Sequence, residues 1–213
     1  KTTTLSMLTG LLPPSEGDAW ICGNSLASRP DAARACLSVC PQENVFFEEL
    51  TVEEHLRFFA GLKGLGWGSE ADEEIRSLAQ SLGIVEKLPS KATTLSGGQK
   101  RRVWIAIALL GDPPVVFLDE PTTGLDPFSR RQVWKLIQER KREKGTCVVL
   151  TTHHMEEADL LADRKAVLSK GRLACLGSSL FLKAKMGVGY ALEVEVSTQD
   201  PDAIERLIQT VKS

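Results

Sequence analysis

No stretch of this 213-residue chain approaches the roughly 20 consecutive apolar residues that cross a bilayer as a helix. The longest candidate, Val103 to Leu110, is soon broken by Asp112, Pro113 and Pro114. These residues therefore do not themselves span a membrane. A secretory signal is also missing; the chain opens Lys1-Thr2-Thr3-Thr4. Cysteine is scarce and poorly spaced for pairing: five residues, an odd number, with no CxxC pair. Free thiols in a reducing compartment are expected. Cys36 and Cys40 stand four apart with no nearby His, so a metal site gains little support there. Positive charge is not in excess either. Lys and Arg total 26 against 28 Asp and Glu, a net charge of −2, which argues against a nucleic-acid partner. The run Arg140, Lys141, Arg142, Lys144 is interrupted by Glu139 and Glu143 and reads as a solvated helix face. Internal repeats and low-complexity tracts are absent. What remains is 42% hydrophobic and 25% charged, an ordinary globular composition, long enough for one domain with or without an appendage.

Periodicity divides the chain into elements. Leu5, Leu8, Leu11 and Leu12 repeat at helical spacing and predict a helix over Thr3 to Leu12, stopped by Pro13 and Pro14. Ala19 to Cys22, closed by Gly23-Asn24, predicts a short strand and turn. Cys36 to Cys40 predicts a second strand, ended by Pro41. Thr51 with Glu54 fits a capping box opening a helix that bears Leu56, Phe58 and Phe59. Ser69 begins another, with Ile75, Leu78, Ala79 and Leu82 on one face and Gly83 at its end. Val115 to Leu118 and Cys147 to Leu150 are continuously apolar and rich in β-branched residues, as parallel strands covered on both faces are. A helix from about Phe128 to Lys144 between them completes a βαβ unit. Further on, Lys165 to Ser169 and Arg172 to Leu176 flank Lys170-Gly171 as a hairpin. Phe181 to Gly189 reads as a linker. Ala191 to Ser197 alternates Leu192, Val194 and Val196 with Glu193 and Glu195, a half-exposed strand.

In open α/β sheets ligands sit beyond the carboxyl ends of the strands. Asp119-Glu120-Pro121 follows the first buried run, and Thr151-Thr152-His153-His154 follows the second. Two acids and a histidine thus converge on one rim. A hydrophobic strand ending in two acids suits a magnesium nucleotide: the first acid serves the metal shell and the second polarises water. Asp119 as the mere cap of a turn fits the strand equally well. The stretch Leu95-Ser96-Gly97-Gly98-Gln99 decides between them. It precedes a helix over Lys100 to Leu110 and offers free N–H groups at the positive end of that helix. Its glycines let backbone approach an anion closely. LSGGQ followed some twenty residues on by LDEPTTGLD is a highly specific combination.

With these motifs the chain resembles the ABC ATPase family along nearly all its length. The resemblance implies a P-loop NTPase-type, mainly parallel α/β sheet with helices on both faces, a helical subdomain carrying the LSGGQ signature, and antiparallel β elements. Lys1-Thr2 is similar to the end of a Walker A loop, which would put Lys1 on the β- and γ-phosphates of ATP and the Thr2 hydroxyl on Mg2+. Thr3 and the following N–H groups would meet the other phosphates. Gln42 resembles the Q-loop glutamine, which touches Mg2+ and water and senses the transporter's membrane half. Asp119 and Glu120 resemble the Walker B pair, with Glu120 as catalytic carboxylate and Asp119 serving the metal. Gly124-Leu125-Asp126 resembles the D-loop, and His153 the switch histidine at the γ-phosphate. Ser96, Gly97, Gly98 and Gln99 would reach the nucleotide of a facing domain. Two departures stand out. The Walker A glycines and the strand before them are absent, so the chain reads as N-terminally truncated. His154 also stands where many relatives carry an acid.

Weaker likenesses point to the lipid-exporting A subfamily of ABC transporters. They are Thr152 to Asp159, Cys40 to Val45, Gly177 to Lys183 and Gly189 to Leu192. The implied protein is a cytosolic domain of an integral membrane transporter. Its partners would be a second nucleotide-binding domain and a transmembrane domain, and it would meet the membrane only through the latter. Residues 1–180 would form the nucleotide-binding domain, with a helical subdomain at about 43–112. Residues 181–213 would form a linker and the start of a small regulatory β/α extension. Two rival readings are a soluble ABC ATPase of translation or DNA maintenance and a non-hydrolysing regulatory module. No sustained heptads lie between Lys1 and Ser96, against the chromosome-maintenance type. The negative charge opposes the translation type, and intact Glu120, His153 and Ser96 to Gln99 oppose the degenerate module. His55 reads as structural, and Trp20, Trp104 and Trp134 as core or interface aromatics. Trp67, among glycines, reads as exposed. Phe46 and Phe47 follow Gln42 and favour contact with the membrane domain, with ordinary burial nearly as well supported.

Overall fold

The computed structural model describes residues 1–66 and 68–186. Trp67, the expected strand Ala191 to Ser197 and the stretch Gly189 to Leu192 lie outside the described residues. The chain opens on α1 (Thr2–Leu8), shorter than the leucine spacing predicts. Gly10 adopts φ 72°, and the amides of Leu11 and Leu12 both turn back to the Ser6 carbonyl. A left-handed residue ends the helix before Pro13 is reached, which leaves Leu11 and Leu12 exposed. Two short antiparallel strands follow, β1 (Trp20–Ile21) and β2 (Asn24–Ser25). Trp20 is 70% exposed, so of the two readings given it, core or interface aromatic, the core one is excluded. A helix missing from the sequence reading, α2 (Pro30–Arg34), starts on a proline whose fixed φ suits a first turn.

Strand β3 (Leu37–Cys40) then leads into a helical insert of α3 (Val52–Leu62), α4 (Ser69–Ser81) and α5 (Gly97–Leu109). The capping box at the start of α3 is present, with the Glu54 amide donating to Thr51 Oγ1 and the Thr51 amide to the Glu54 carboxylate. The chain returns to the sheet as β4 (Val115–Asp119), crosses through α6 (Pro127–Lys144), and re-enters as β5 (Cys147–Thr151). Gly145 at φ 68° closes α6 and turns the chain toward β5. The three strands are parallel in the order β3-β4-β5. Finally come α7 (Met155–Leu161), the antiparallel hairpin β6 (Lys165–Ser169) and β7 (Arg172–Gly177), and α8 (Ser179–Met186). The linker reading of Phe181 onward is corrected over its first six residues. They continue a helix begun at Ser179, and the Phe181 ring lies against Gly177, where a Cβ would meet it.

Successive residues of β4 point to opposite faces, and each face has its own core. Val116 and Leu118 join the helices of the insert and α6, with Leu56, Ile75, Ile105 and Ile137. Phe117 joins α1, β1 and α2 through Leu5, Ile21 and Ala33. Helices thus cover both faces of the parallel sheet, as the residues predict. The match is less good at β5. Cys147 is exposed and Val148 to Thr151 are only half-buried, because among the described residues no strand pairs with its far edge. No helix among the described residues is long and apolar enough to cross a membrane.

Candidate active site

The carboxyl ends of β4 and β5 lie side by side, with Asp119 in register with Thr151. Asp119 is buried, and its carboxylate accepts a hydrogen bond from the Thr151 hydroxyl. The next residue, Glu120, has φ 51°, a left-handed conformation uncommon for a residue with a side chain. Its amide donates to both the carbonyl and the hydroxyl oxygen of Thr151, at 3.2 and 3.0 Å. Thr151 therefore ties both acids to the end of β5. The hydroxyl does so as donor to one acid and acceptor from the other's backbone. The sequence reading gave Thr151 no role. Its signal was present, as a hydroxyl residue at the strand end beside two carboxylates.

The Glu120 side chain is 18% exposed and faces three neighbours. Thr123 donates its hydroxyl to Glu120 Oε2 at 3.2 Å, Lys1 Nζ lies 3.8 Å from Oε1, and His153 Nδ1 lies 3.5 Å from Oε1. Lys1 also donates to the Thr152 carbonyl at 3.0 Å. The structure thus brings together Lys1, Glu120 and His153, residues from three distant parts of the chain. Thr2 and Thr3 are exposed in the first turn of α1 beside them. The His154 ring lies tilted by 40° against that of His153 with centroids 4.1 Å apart, and its amide donates to the Thr152 hydroxyl.

The other candidate residues form a separate group. Ser96 caps α5: the Gln99 amide donates to Ser96 Oγ at 3.3 Å and the Ser96 amide donates to Gln99 Oε1 at 2.9 Å. A Cβ on Gly98 would come within 3.3 Å of the Leu125 side chain, so the glycine-rich cap packs on Gly124-Leu125. Asp126 caps α6, accepting from the amides of Phe128 and Ser129 at 3.0 Å each. Those bonds hold its carboxyl below the usual range, the Ser129 side chain contributing most. Among the described residues, no hydrogen bond or ion pair joins Ser96 to Gln99 or Asp126 with Lys1, Glu120 or His153.

Gln42 is exposed on the loop after β3, and its carbonyl accepts from Arg101 of α5. Arg101 is buried and was not singled out by sequence, although it shares helical spacing with Ile105 and Ala108 on the buried face. Glu157 of α7 was also overlooked. It is 1% exposed and accepts from the Thr122 hydroxyl and from Trp134 Nε1, both at 2.9 Å. Trp134 is thus a core aromatic, as expected. His55 is structural too: buried, with Nε2 accepting from the Phe47 amide and Nδ1 2.8 Å from the Thr51 carbonyl. The pair after Gln42 divides. Phe46 packs into the core against Trp104, and Phe47 stays 55% exposed.

A helix-covered parallel sheet, polar groups gathered past the carboxyl ends of adjacent strands, and a helical insert carrying a glycine-rich cap define a nucleotide-binding domain of the P-loop NTPase type. Residues 1–123 match the family described as ABC transporter. The chain belongs to that family. It is 48% identical over 209 residues to the rat phospholipid-transporting ATPase ABCA3, covering 98% of this chain and 12% of the relative. It is 48% identical over 192 residues to the mouse retinal-specific phospholipid-transporting ATPase ABCA4, covering 90% of this chain and 8% of the relative. ABC transporter A family member 9 of Arabidopsis thaliana is 49% identical over 200 residues, covering 91% of this chain and 20% of the relative. The chain therefore spans a fifth or less of the length of these relatives. Among solved structures, an ATP-binding subunit of an ABC transporter superposes with a TM-score of 0.79 at 29% identity, covering 100% of this chain and 83% of that one. The dimeric ATP-binding cassette MJ0796 bound to ADP and Pi, described as a post-hydrolysis state, gives 0.75 at 26% identity, covering 83% and 79%.

Proposed function

We propose that this chain is the ATP-hydrolysing domain of an ABC transporter that moves lipid across a membrane, driven by ATP-dependent pairing with a second nucleotide-binding domain. The observation that carries the reading is the meeting of Lys1, Glu120 and His153 at the rim of β4 and β5, apart from the cap Ser96 to Gln99, whose first two residues are exposed. Among the described residues no hydrogen bond or ion pair joins the two groups, and in this reading one nucleotide is not served by both groups of a single chain. It can be served by the first group of one domain and the second group of another. The dimeric MJ0796 cassette with ADP and Pi supports such pairing, and the phospholipid-transporting relatives support lipid as cargo.

In this reading Lys1, Thr2 and Thr3 hold the phosphates, and Asp126 lies at the facing edge. Thr123 holds Oε2 of Glu120, and Oε1, which faces Lys1 and His153, is the oxygen that would accept a proton from the attacking water. His153 fixes the γ-phosphate side of that water. Thr2, Gln42 and Asp119 would hold Mg2+; a hydroxyl, an amide oxygen and one carboxylate are the hard oxygen donors that ion takes alongside phosphates. When bound, the ion neutralises phosphate charge. In this reading residues 1–180 belong to the nucleotide-binding domain, with the insert at about 43–112, and the helix Ser179–Met186 packs onto its β7, so the C-terminal extension would begin after that helix. The domain lies on the cytosolic side and meets the membrane through a transmembrane partner.

Turnover measured in the full-length protein tests this. Glu120→Gln is expected to keep ATP binding and lower the rate by about a hundredfold or more, as loss of a general base does. Undiminished hydrolysis in that variant would remove Glu120 from its role.

A further inference from the structure

Arg101 is 3% exposed and has no carboxylate partner among the described residues. Its guanidinium instead donates to oxygens of two separate loops. Nε reaches the Pro121 carbonyl at 3.2 Å, and Nη2 reaches the Asp119 carbonyl. Nη1 reaches the carbonyls of Pro41 and Gln42, the latter at 3.3 Å, and Asn44 Oδ1 at 3.4 Å. All three nitrogens are engaged, five bonds in all, and every partner lies in the loop after β3 or at the end of β4 and the corner that follows it. A buried cation without a counter-ion is a costly way to hold a core together, and an apolar side chain of like volume often does as well or better. What the guanidinium supplies is geometry: a rigid planar fork that addresses several acceptors at once, which a lysine cannot reproduce.

The position of the fork gives that geometry a use. Arg101 lies on α5, about half a turn beyond the last residue of the cap Ser96 to Gln99. One of its loops carries Gln42, and the other carries Asp119 and Glu120. We infer that Arg101 is a positioning residue that binds the loop of Gln42, the corner of Glu120 and the helix of Ser96 to Gln99 into one rigid unit. A displacement at Gln42 is then transmitted both to the chain's own hydrolytic carboxylate and to the cap offered to the facing domain. This deepens the reading above and rests on it.

The test uses the full-length protein with Arg101→Lys, beside wild type and Glu120→Gln. Two measurements are made. Hydrogen exchange reads the joint itself, with the amides of 103–109 in α5 reporting that the domain is folded. The expected result is faster exchange at both 42–44 and 120–123 with 103–109 unchanged. Loosening of only one loop, or of neither, overturns the proposal whether or not the protein hydrolyses ATP. Steady-state kinetics then reads the consequence. The expected result is a fall in kcat of about tenfold or more, the scale of small misplacements in an active site, with KM for ATP within about threefold. A variant that loses thermal stability yet keeps the wild-type kcat marks Arg101 as structural only and overturns the proposal. Wild-type hydrolysis abolished by Glu120→Gln upholds the functional reading independently of either Arg101 result.

Discussion

The buried Glu157 shows what single residues contribute outside the reacting groups. Its carboxylate joins Thr122, which lies just after the corner at Glu120, to Trp134 in α6. Removing it strands two buried donors. Glu157→Ala is expected to cost about 3 kcal/mol, the upper range for bonds to a charged group, whereas Glu157→Gln keeps an acceptor oxygen and should cost about half that. Urea denaturation of the two variants checks the ordering. A smaller loss in the alanine variant would mean that water replaces the carboxylate. Neither Glu157 nor Arg101 was legible from sequence, for the same reason. A charged residue on an amphipathic helix is ordinarily solvated, and only the packed structure reveals that these two face inward.

At the scale of elements, caps and termini decide local stability. Thr51→Ala removes the capping hydroxyl of α3 and should lower stability by about 1 kcal/mol in chemical denaturation. At the other end of α3 stands Lys63. Its stem is exposed, but Nζ turns inward to the Ser38 hydroxyl at 2.9 Å and the Leu110 carbonyl at 3.0 Å, binding β3 to the end of α5. Burial pushes its pKa down from 10.5 to about 8, against an opposing pull from Glu74. Between those two values the unfolded chain binds more protons than the folded one. Lys63 should therefore make the protein more stable as pH rises from about 8 to about 10.5, and its effect should be constant below about 8. Lys63→Met should lose this slope when the stabilities of the two proteins are compared across that range. Sequence reading located most elements because their periodicity is local. It overran α1, where one glycine conformation outweighed the leucine repeat, and it missed α8, whose packing on β7 has no periodic signature.

For the whole molecule, the separation of the two candidate groups predicts an oligomeric response. Glu120→Gln domains containing this chain should pair in the presence of ATP and Mg2+ and run as single copies in ADP, as size-exclusion chromatography with light scattering would show. Single copies under both conditions would detach the signature cap from any nucleotide role. The rim of β4 and β5 was legible because its acids follow one short, continuously apolar run directly and its histidine follows another after two intervening residues. The depth of cover over β5 was not, since a continuous apolar run reads alike at the centre and the edge of a sheet.

The left-handed backbone at Glu120 gives this position two conflicting preferences. Any side chain there costs about 1 kcal/mol relative to a residue that adopts that conformation freely. A library screened only for heat resistance should accordingly enrich Glu120→Gly, while a library screened for ATP hydrolysis, the proposed activity, should purge it. Laboratory evolution toward durability, conducted without a functional check, would discard the carboxylate.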